Sequence, residues 1–324
     1  MSPLYPASNA SFLPAWLLRR IAAGEAEDLP RGWSTAGVAC FVDIVGFTAL
    51  TEQHAARGPE GAEALRAVID AHFAAVITAI EAWGGEVAAF AGDAMLVVFF
   101  DDLLGGAEAA GLAAWSGALA VQSLGSEASV LAQRVSLSRG SIDTWALSPR
   151  PDCPVYALGG AAVLGLAAPH RLARPGEVVA TDAFAAASGL SGHRRGEGVL
   201  RLSSPRPGDV VVAPGVGRRP VPVVAPEALA PWLPRVVRER HDAGQAAWLN
   251  EFRTATVVFL DVGVPGQGAA ALSEAVNPLV EAIRHYEGDT LGLVFDEKGA
   301  TLVGAFGLPG RAHGDDAFRA VNAA

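Results

Sequence analysis

The sequence predicts an α+β fold, an α/β sandwich, in which one structural unit occurs twice. Residues 37–100 contain an apolar, β-favouring segment, then helical segments, then two apolar runs joined by a short turn. The same order returns at residues 254–306. Hydrophobic residues make up 51% of the 324 residues, which is enough for a core in each of two domains.

Composition and charge exclude several classes of protein. Charged residues make up only 18%, the opposite of the balance typical of disordered chains. The 24 basic and 34 acidic residues give a net charge of −10, which argues against nucleic acid as a partner because such binding needs a basic surface. Two cysteines, Cys40 and Cys153, are too few for a disulfide framework and lack metal-type spacing.

The apolar segments of the sequence have neither the pattern of a signal peptide nor that of a membrane span. The arginines Arg19 and Arg20 follow the N-terminal apolar stretch, whereas a signal peptide carries its positive charge in front. The longest uncharged runs are rich in alanine and glycine and only weakly apolar, so we expect no membrane span. We therefore expect a cytoplasmic protein whose cysteines are reduced and buried.

Apolar spacing and turn residues define the elements of the first copy. The helix that begins at Pro59 has apolar residues at three- and four-residue steps and ends at Gly84 and Gly85. The predicted elements are an amphipathic helix at Phe12–Ala23, a strand at 37–43, helices at Thr48–Ala56 and from Pro59 to Gly84, a hairpin at 86–100, a helix at 107–122, a strand at 134–143, a strand at Val155–Leu158, a helix at Gly160–Leu172 and a strand at 177–181.

The second half of the chain is predicted to be a linker followed by the second copy. Residues 190–225 are rich in proline, glycine and arginine and contain one apolar run at 208–214, which is typical of a domain end and a linker. A helical segment at 227–252 follows, and then a strand at 255–261, a helix at 269–286 and a second hairpin. We predict an N-terminal helical extension at 1–35, a first domain at 36–213, a linker and helix at 214–253, and an incomplete second copy at 254–324.

Two aspartates of the first copy point to metal chemistry. Asp43 ends the first strand and Asp93 lies in the hairpin turn. If the strands are neighbours, both carboxylates lie at one edge of the sheet, where they suit hard divalent cations. Each aspartate alone is equally well explained as a helix cap or a turn residue. Both together, at matching points of the unit, favour a metal site.

The segment after Asp43 points to phosphate binding. Gly46 allows a close approach of the backbone to a ligand, and a helix begins near Thr48. Free N–H groups at the start of a helix favour an anion, most often a phosphate. A metal site beside a phosphate site predicts binding of a nucleoside triphosphate.

Two segments of the first copy resemble a known protein family. The segments FVDIVGFTALTE and GGEVAAFAGDAMLVVF resemble the catalytic domain of class III nucleotidyl cyclases. The pair of copies, with VFDEKGATLVGAFGLPGRAHGDDAF in the second, is similar to the tandem catalytic domains of soluble, bicarbonate-regulated adenylyl cyclases. The resemblance implies a ferredoxin-like sheet covered by helices, intramolecular pairing of the two domains around one active site, and conversion of ATP to 3′,5′-cyclic AMP and pyrophosphate for intracellular signalling. Such an enzyme is a phosphorus–oxygen lyase.

The resemblance also assigns roles to individual residues. It implies that Asp43 and Asp93, with the carbonyl of Ile44, hold two Mg²⁺ or Mn²⁺ ions that activate the ribose 3′-hydroxyl and bind the triphosphate. It implies that the backbone of four residues binds phosphate oxygens: Val45, Gly46, Phe47 and Thr48.

The second copy departs from the first in a complementary way. It keeps Asp261, but Ala300 stands where Asp93 would be, so a metal pair is not expected there. Lys298 matches the lysine that reads adenine in this family, which disfavours a guanylyl cyclase. The alternative, which is less favoured, is a solvated lysine of the turn. Ala89, and Ala167 or Ala168, replace the lysine and arginine of the family's bicarbonate site, so bicarbonate regulation is not expected.

One alternative of a different class stays open. The family's second domain supplies an asparagine and an arginine to the transition state, in a half that the second copy does not contain. That favours a non-catalytic Mg-ATP-binding regulatory module of a larger signalling protein. The complete aspartate pair favours the enzyme. By the resemblance, further C-terminal signalling domains are possible partners of it.

Overall fold

The computed structural model describes residues 9–124, 131–150, 153–203, 220–242, 254–263 and 268–324. The chain forms two compact units. The first unit comprises Ser34–Ile142 and Gly160–Pro220, and the second unit comprises Met1–Trp33, Asp143–Gly159 and Val221–Ala324. These units are groups of packed segments and are not the four sequence domains, whose boundaries stay a prediction.

Helices and strands alternate along the described residues, as an α+β fold requires. The strands are β1 (Arg31–Ile44), β2 (Glu86–Ala91), β3 (Ala94–Phe100), β4 (Gln133–Arg150), β5 (Cys153–Gly159), β6 (Val178–Thr181), β7 (Gly192–Gly196), β8 (Val199–Leu202), β9 (Thr256–Asp261), β10 (Asp289–Asp296) and β11 (Gly299–Phe306). The helices are α1 (Ala15–Ala22), α2 (Phe47–Ala55), α3 (Gly58–Glu81), α4 (Asp101–Leu104), α5 (Ala107–Leu124), α6 (Ala161–Leu164), α7 (Ala167–Leu172), α8 (Asp182–Ala187), α9 (Pro226–Leu229), α10 (Arg235–Asp242), α11 (Ala269–His285) and α12 (Asp316–Ala323). Short 3₁₀ turns occupy Asn9–Phe12 and Ala230–Trp232.

The first unit has the strand order of a ferredoxin-like sheet. Its strands lie in the order β2-β3-β1-β4, while the chain runs β1, two helices, β2, β3, two helices, β4. Strands β1 and β3 are antiparallel, with Gly37 opposite Phe100 and Asp43 opposite Ala94. The predicted ferredoxin-like sheet is therefore confirmed, and the α+β class with it.

Strands β6, β7 and β8 extend this sheet beyond β4. Strand β6 is parallel to β4, β8 is antiparallel to β6, and β7 is antiparallel to β8. The β7–β8 hairpin was not predicted; it lies in the segment that the sequence analysis described as the end of a domain. The run GHRRG lacks the apolar alternation of a strand, and its pairing with β8 decides its structure.

The core of the first unit lies between its sheet and helices α3 and α5. It includes Cys40 and Phe99 from the sheet and Ile80 from α3. Helix α5 is buried nearly all round through alanine and glycine, which lets it approach its neighbours closely. Cys40 is fully buried and free, and burial raises the pKa of its thiol, so it packs as a small apolar residue as predicted.

The second unit has its own sheet and core. Its strands lie in the order β5-β10-β11-β9, with β10 parallel to β5 and antiparallel to β11. Helix α11 packs against this sheet through Val276, Val280 and Ile283. Stacking of Trp145 on Phe295, with ring centroids 4.7 Å apart, adds an aromatic contact to the same core.

The two copies share one pairing pattern and differ in hairpin length. Strand β9 pairs with β11 as β1 pairs with β3, and Asp261 lies opposite Thr301 as Asp43 lies opposite Ala94. The first hairpin turns directly after the Ala91–Ala94 pair, whereas two further pairs extend the second. The order of the segments predicts that the turn at Asp296–Gly299 matches the turn at Ala91–Asp93, and the longer second hairpin shows that this prediction is wrong.

Two helical predictions are also corrected. The helix predicted at Gly160–Leu172 is split into α6 and α7, with Gly165 and Leu166 between them. The segment predicted to be helical from 227 holds α9, a 3₁₀ turn and α10, while its end at 243–252 lies outside the described residues, as does the strand predicted at 208–214. No helix within the described ranges is long and apolar enough to cross a membrane.

Candidate metal and nucleotide site

Strand register brings Asp43 and Asp93 together in the first unit. Asp43 lies opposite Ala94 across the β1–β3 pair, so Asp93 is the residue that precedes its partner. Asp43 is only 8% exposed, because it ends the most buried part of β1. Asp93 is half-buried in the turn between β2 and β3. Two carboxylates thus lie at neighbouring backbone positions on one sheet edge.

The segment after Asp43 turns directly into helix α2. Gly46 has φ +80° and ψ 17° at the N-cap of this helix, a left-handed conformation that glycine adopts at no steric cost. No side chain of the described residues caps the helix, so the first amides of α2 keep the donor capacity of a helix start. The N–H of Val45 already donates to the carbonyl of Ala132 at 2.8 Å. Of the four predicted phosphate-binding residues, Gly46, Phe47 and Thr48 therefore retain an amide for a ligand.

Arg134 is a site residue that the sequence analysis missed. Its Nε donates to Oδ2 of Asp43 at 2.6 Å, from the neighbouring strand β4. The arginine side chain is 33% exposed and the aspartate side chain 11% exposed. Ninety-one residues separate the two, so no local pattern could have revealed the pair.

His170 is the second residue that sequence reasoning missed. Its ring packs edge-on against Phe41, with centroids 5.0 Å apart, and its Nδ1 is buried with no hydrogen-bond partner among the described residues. Burial chiefly lowers the pKa of His170, and the positive charge of Arg134 lowers it further. The charges of Asp43 and Asp93 act in the opposite direction, which places the imidazole within electrostatic range of both carboxylates.

The donor set at this edge fits Mg²⁺ or Mn²⁺. Carboxylate and carbonyl oxygens are hard ligands, and Mg²⁺ is commonly held by one or two carboxylates together with waters and substrate phosphates. Nowhere in the described part of the chain do three His, Cys, Asp or Glu residues form a group that could hold a metal. A cation at Asp43 and Asp93 would thus depend on oxygens outside the side chains and would share Asp43 with Arg134.

Lys298 belongs to the second unit. It lies in the exposed turn between β10 and β11, where its N–H donates to Oδ1 of Asp296 at 2.7 Å. Asp261 accepts from the N–H of Gly263 at 3.0 Å and so shapes its own loop. Ala300, which precedes the partner of Asp261, is fully buried. The second copy thus carries one carboxylate where the first carries two.

Comparison with known proteins gives partial matches. No family model matches the chain. Human adenylate cyclase type 10 is 40% identical over 65 residues, which are 19% of this chain and 4% of that protein, and the rat protein matches equally. The chain is similar to adenylyl cyclases. Because it spans only a small fraction of these relatives, their activity comes to this chain only as a proposal.

Solved structures of cyclases are also among those similar to this chain. The adenylyl cyclase CyaB from P. aeruginosa has a TM-score of 0.44 at 19% identity and covers 54% of this chain and 97% of its own. The guanylyl cyclase Cya2 has a TM-score of 0.42 at 19% identity and covers 56% of this chain and 100% of its own. A bacterial light-regulated adenylyl cyclase has a TM-score of 0.43 at 22% identity and covers 55% and 51%. Enzymes named for either nucleotide thus appear among the similar structures.

Proposed function

We propose that the protein is an adenylyl cyclase that converts ATP to 3′,5′-cyclic AMP and pyrophosphate. The observation that carries the proposal is the β1–β3 register, which sets Asp43 and Asp93 at adjacent positions in front of the start of α2. Sequence similarity to adenylate cyclase supports the cyclase class.

Asp43, Asp93 and the carbonyl of Ile44 are the groups that would hold two Mg²⁺ or Mn²⁺ ions. When bound, such ions neutralise charge on a triphosphate and lower the pKa of a ribose hydroxyl. The low exposure of Asp43 strengthens its interaction with a cation because little water screens it.

The start of α2 would hold the phosphates. Amides of Gly46, Phe47 and Thr48 can donate to phosphate oxygens, and the positive end of the helix dipole favours the anion. In the reaction the 3′-oxygen of ATP forms a bond to the α-phosphorus. The bond from that phosphorus to the oxygen bridging to the β-phosphate breaks, the 3′-hydroxyl proton leaves, and pyrophosphate is released.

Lys298 is the group that we propose to select adenine. Its ammonium can donate a hydrogen bond to N1 of adenine, whereas N1 of guanine carries a hydrogen and accepts none. This role requires the second copy to pair with the first around one active site, which is part of the proposal.

The second candidate function is a non-catalytic Mg-ATP-binding module. The ion pair between Arg134 and Asp43 favours it, because the guanidinium occupies one oxygen of a carboxylate that catalysis needs for a cation. The two functions share the site and differ only in turnover, so one experiment can separate them.

The test is to incubate the purified protein with Mn²⁺ and ATP and to quantify cyclic AMP. Asp43→Ala and Asp93→Ala should abolish product, while Asp70→Ala, which removes an exposed carboxylate with a long 3.4 Å ion pair, should not. Manganese-dependent ATP binding without product, lost in Asp43→Ala, would instead establish the binding module. Absence of ATP binding would overturn both functions.

Replacing ATP by GTP tests the role of Lys298. The wild-type protein should favour ATP, and Lys298→Met should lose much of that preference. An unchanged ratio of cyclic AMP to cyclic GMP formation would refute adenine selection by this lysine while leaving the cyclase proposal standing.

A further inference from the structure

We draw no further inference here: the strongest candidate, the exposed apolar patch that Val257 and Phe259 form on strand β9 of the second unit, carries none because nothing in the described part of the structure shows what covers it.

Discussion

Arg134 donates a hydrogen bond of 2.6 Å from Nε to Oδ2 of Asp43 and so joins β4 to the end of β1. The carboxylate that is proposed to hold a cation therefore already has a positive partner. This pairing keeps a buried charge satisfied when no metal is bound, and it sets up a competition between the guanidinium and the metal.

Replacement of Arg134 should separate stability from metal binding. We expect Arg134→Gln to lose about 1–3 kcal/mol of unfolding free energy in EDTA, because Asp43 is left buried without its charged partner. Manganese should bind this variant more tightly than the wild-type protein and restore much of the loss, because the competing cation is gone. Melting curves with and without Mn²⁺ measure both effects, with Arg66→Gln as the surface control. If manganese stabilised Arg134→Gln and the wild-type protein equally, the competition would be contradicted.

A second prediction concerns the turn into α2. Gly46→Ala should lower stability by about 1–2 kcal/mol, because an alanine is strained at a φ of +80° although nothing lies within 4 Å of the added carbon. Gly292→Ala is the matched control, since it too has open space but an ordinary φ. Chemical denaturation of the two variants tests this, and if both were equally stable the left-handed requirement at residue 46 would be refuted.

If the helix start binds phosphate, the same variant should also bind Mn-ATP more weakly. Shifting the left-handed residue moves the amides of Phe47 and Thr48, which are the proposed donors. Calorimetric titration with Mn-ATP measures this loss, and an unchanged affinity in a destabilised Gly46→Ala protein would argue against phosphate at the start of α2.

Two glycines of α5 should respond in opposite ways to the same substitution. A Cβ at Gly111 would overlap the side chain of Ser188, which is itself bonded to the carbonyl of Phe184. Gly111→Ala should therefore destabilise the protein by about 1–3 kcal/mol through overpacking. At Gly117 the added carbon would meet the ring of Phe99 at an ordinary 3.5 Å, so Gly117→Ala should be neutral or gain up to about 1 kcal/mol from helix propensity. Urea unfolding of both variants decides the matter, and a destabilised Gly117→Ala would count against this packing of α5.

Acid should weaken the fold through His72. This histidine is 1% exposed on α3, and burial lowers its pKa below the ordinary value of 6.5. The unfolded chain then takes up a proton first as the pH falls through that value, so stability is present above it and is lost towards lower pH. His72→Gln should flatten the decline in melting temperature between about pH 7 and about pH 5. The exposed His193→Gln serves as control, and an unaltered slope in His72→Gln would exclude this residue as the cause.

The parts of the fold that the sequence predicted are those with a local signal. The hairpin at 86–100 combines apolar runs with a Gly-Asp turn, and the strand that ends at Asp43 is apolar along its length. The β7–β8 hairpin was missed because GHRRG has no strand-like alternation and pairs only with β8. The break in the helix at 160–172 was missed because Gly165 lies against Ser138, a neighbour that local sequence does not disclose.

The residues of the candidate site also form two groups: those that the sequence predicts and those that only the fold brings together. Asp43 and Asp93 could be found because each marks the end of a local element. Arg134 and His170 approach them only through the pairing of β4 with β1 and the packing of α7. Arg134 and His170 contact residues that lie many tens of positions away in the sequence. Such contacts form only when the whole sheet folds, so no local pattern predicts them.

The repeated unit can be recognised from the residues alone, and so can the asymmetry between its copies, with two aspartates in one and Asp261 with Ala300 in the other. These features follow from which residues occupy equivalent positions along the chain. The longer second hairpin and the Arg134–Asp43 pair, in contrast, emerge only when the chain is folded. Strand register and long-range packing bring such groups together, and they are set by contacts between segments that are far apart in the sequence.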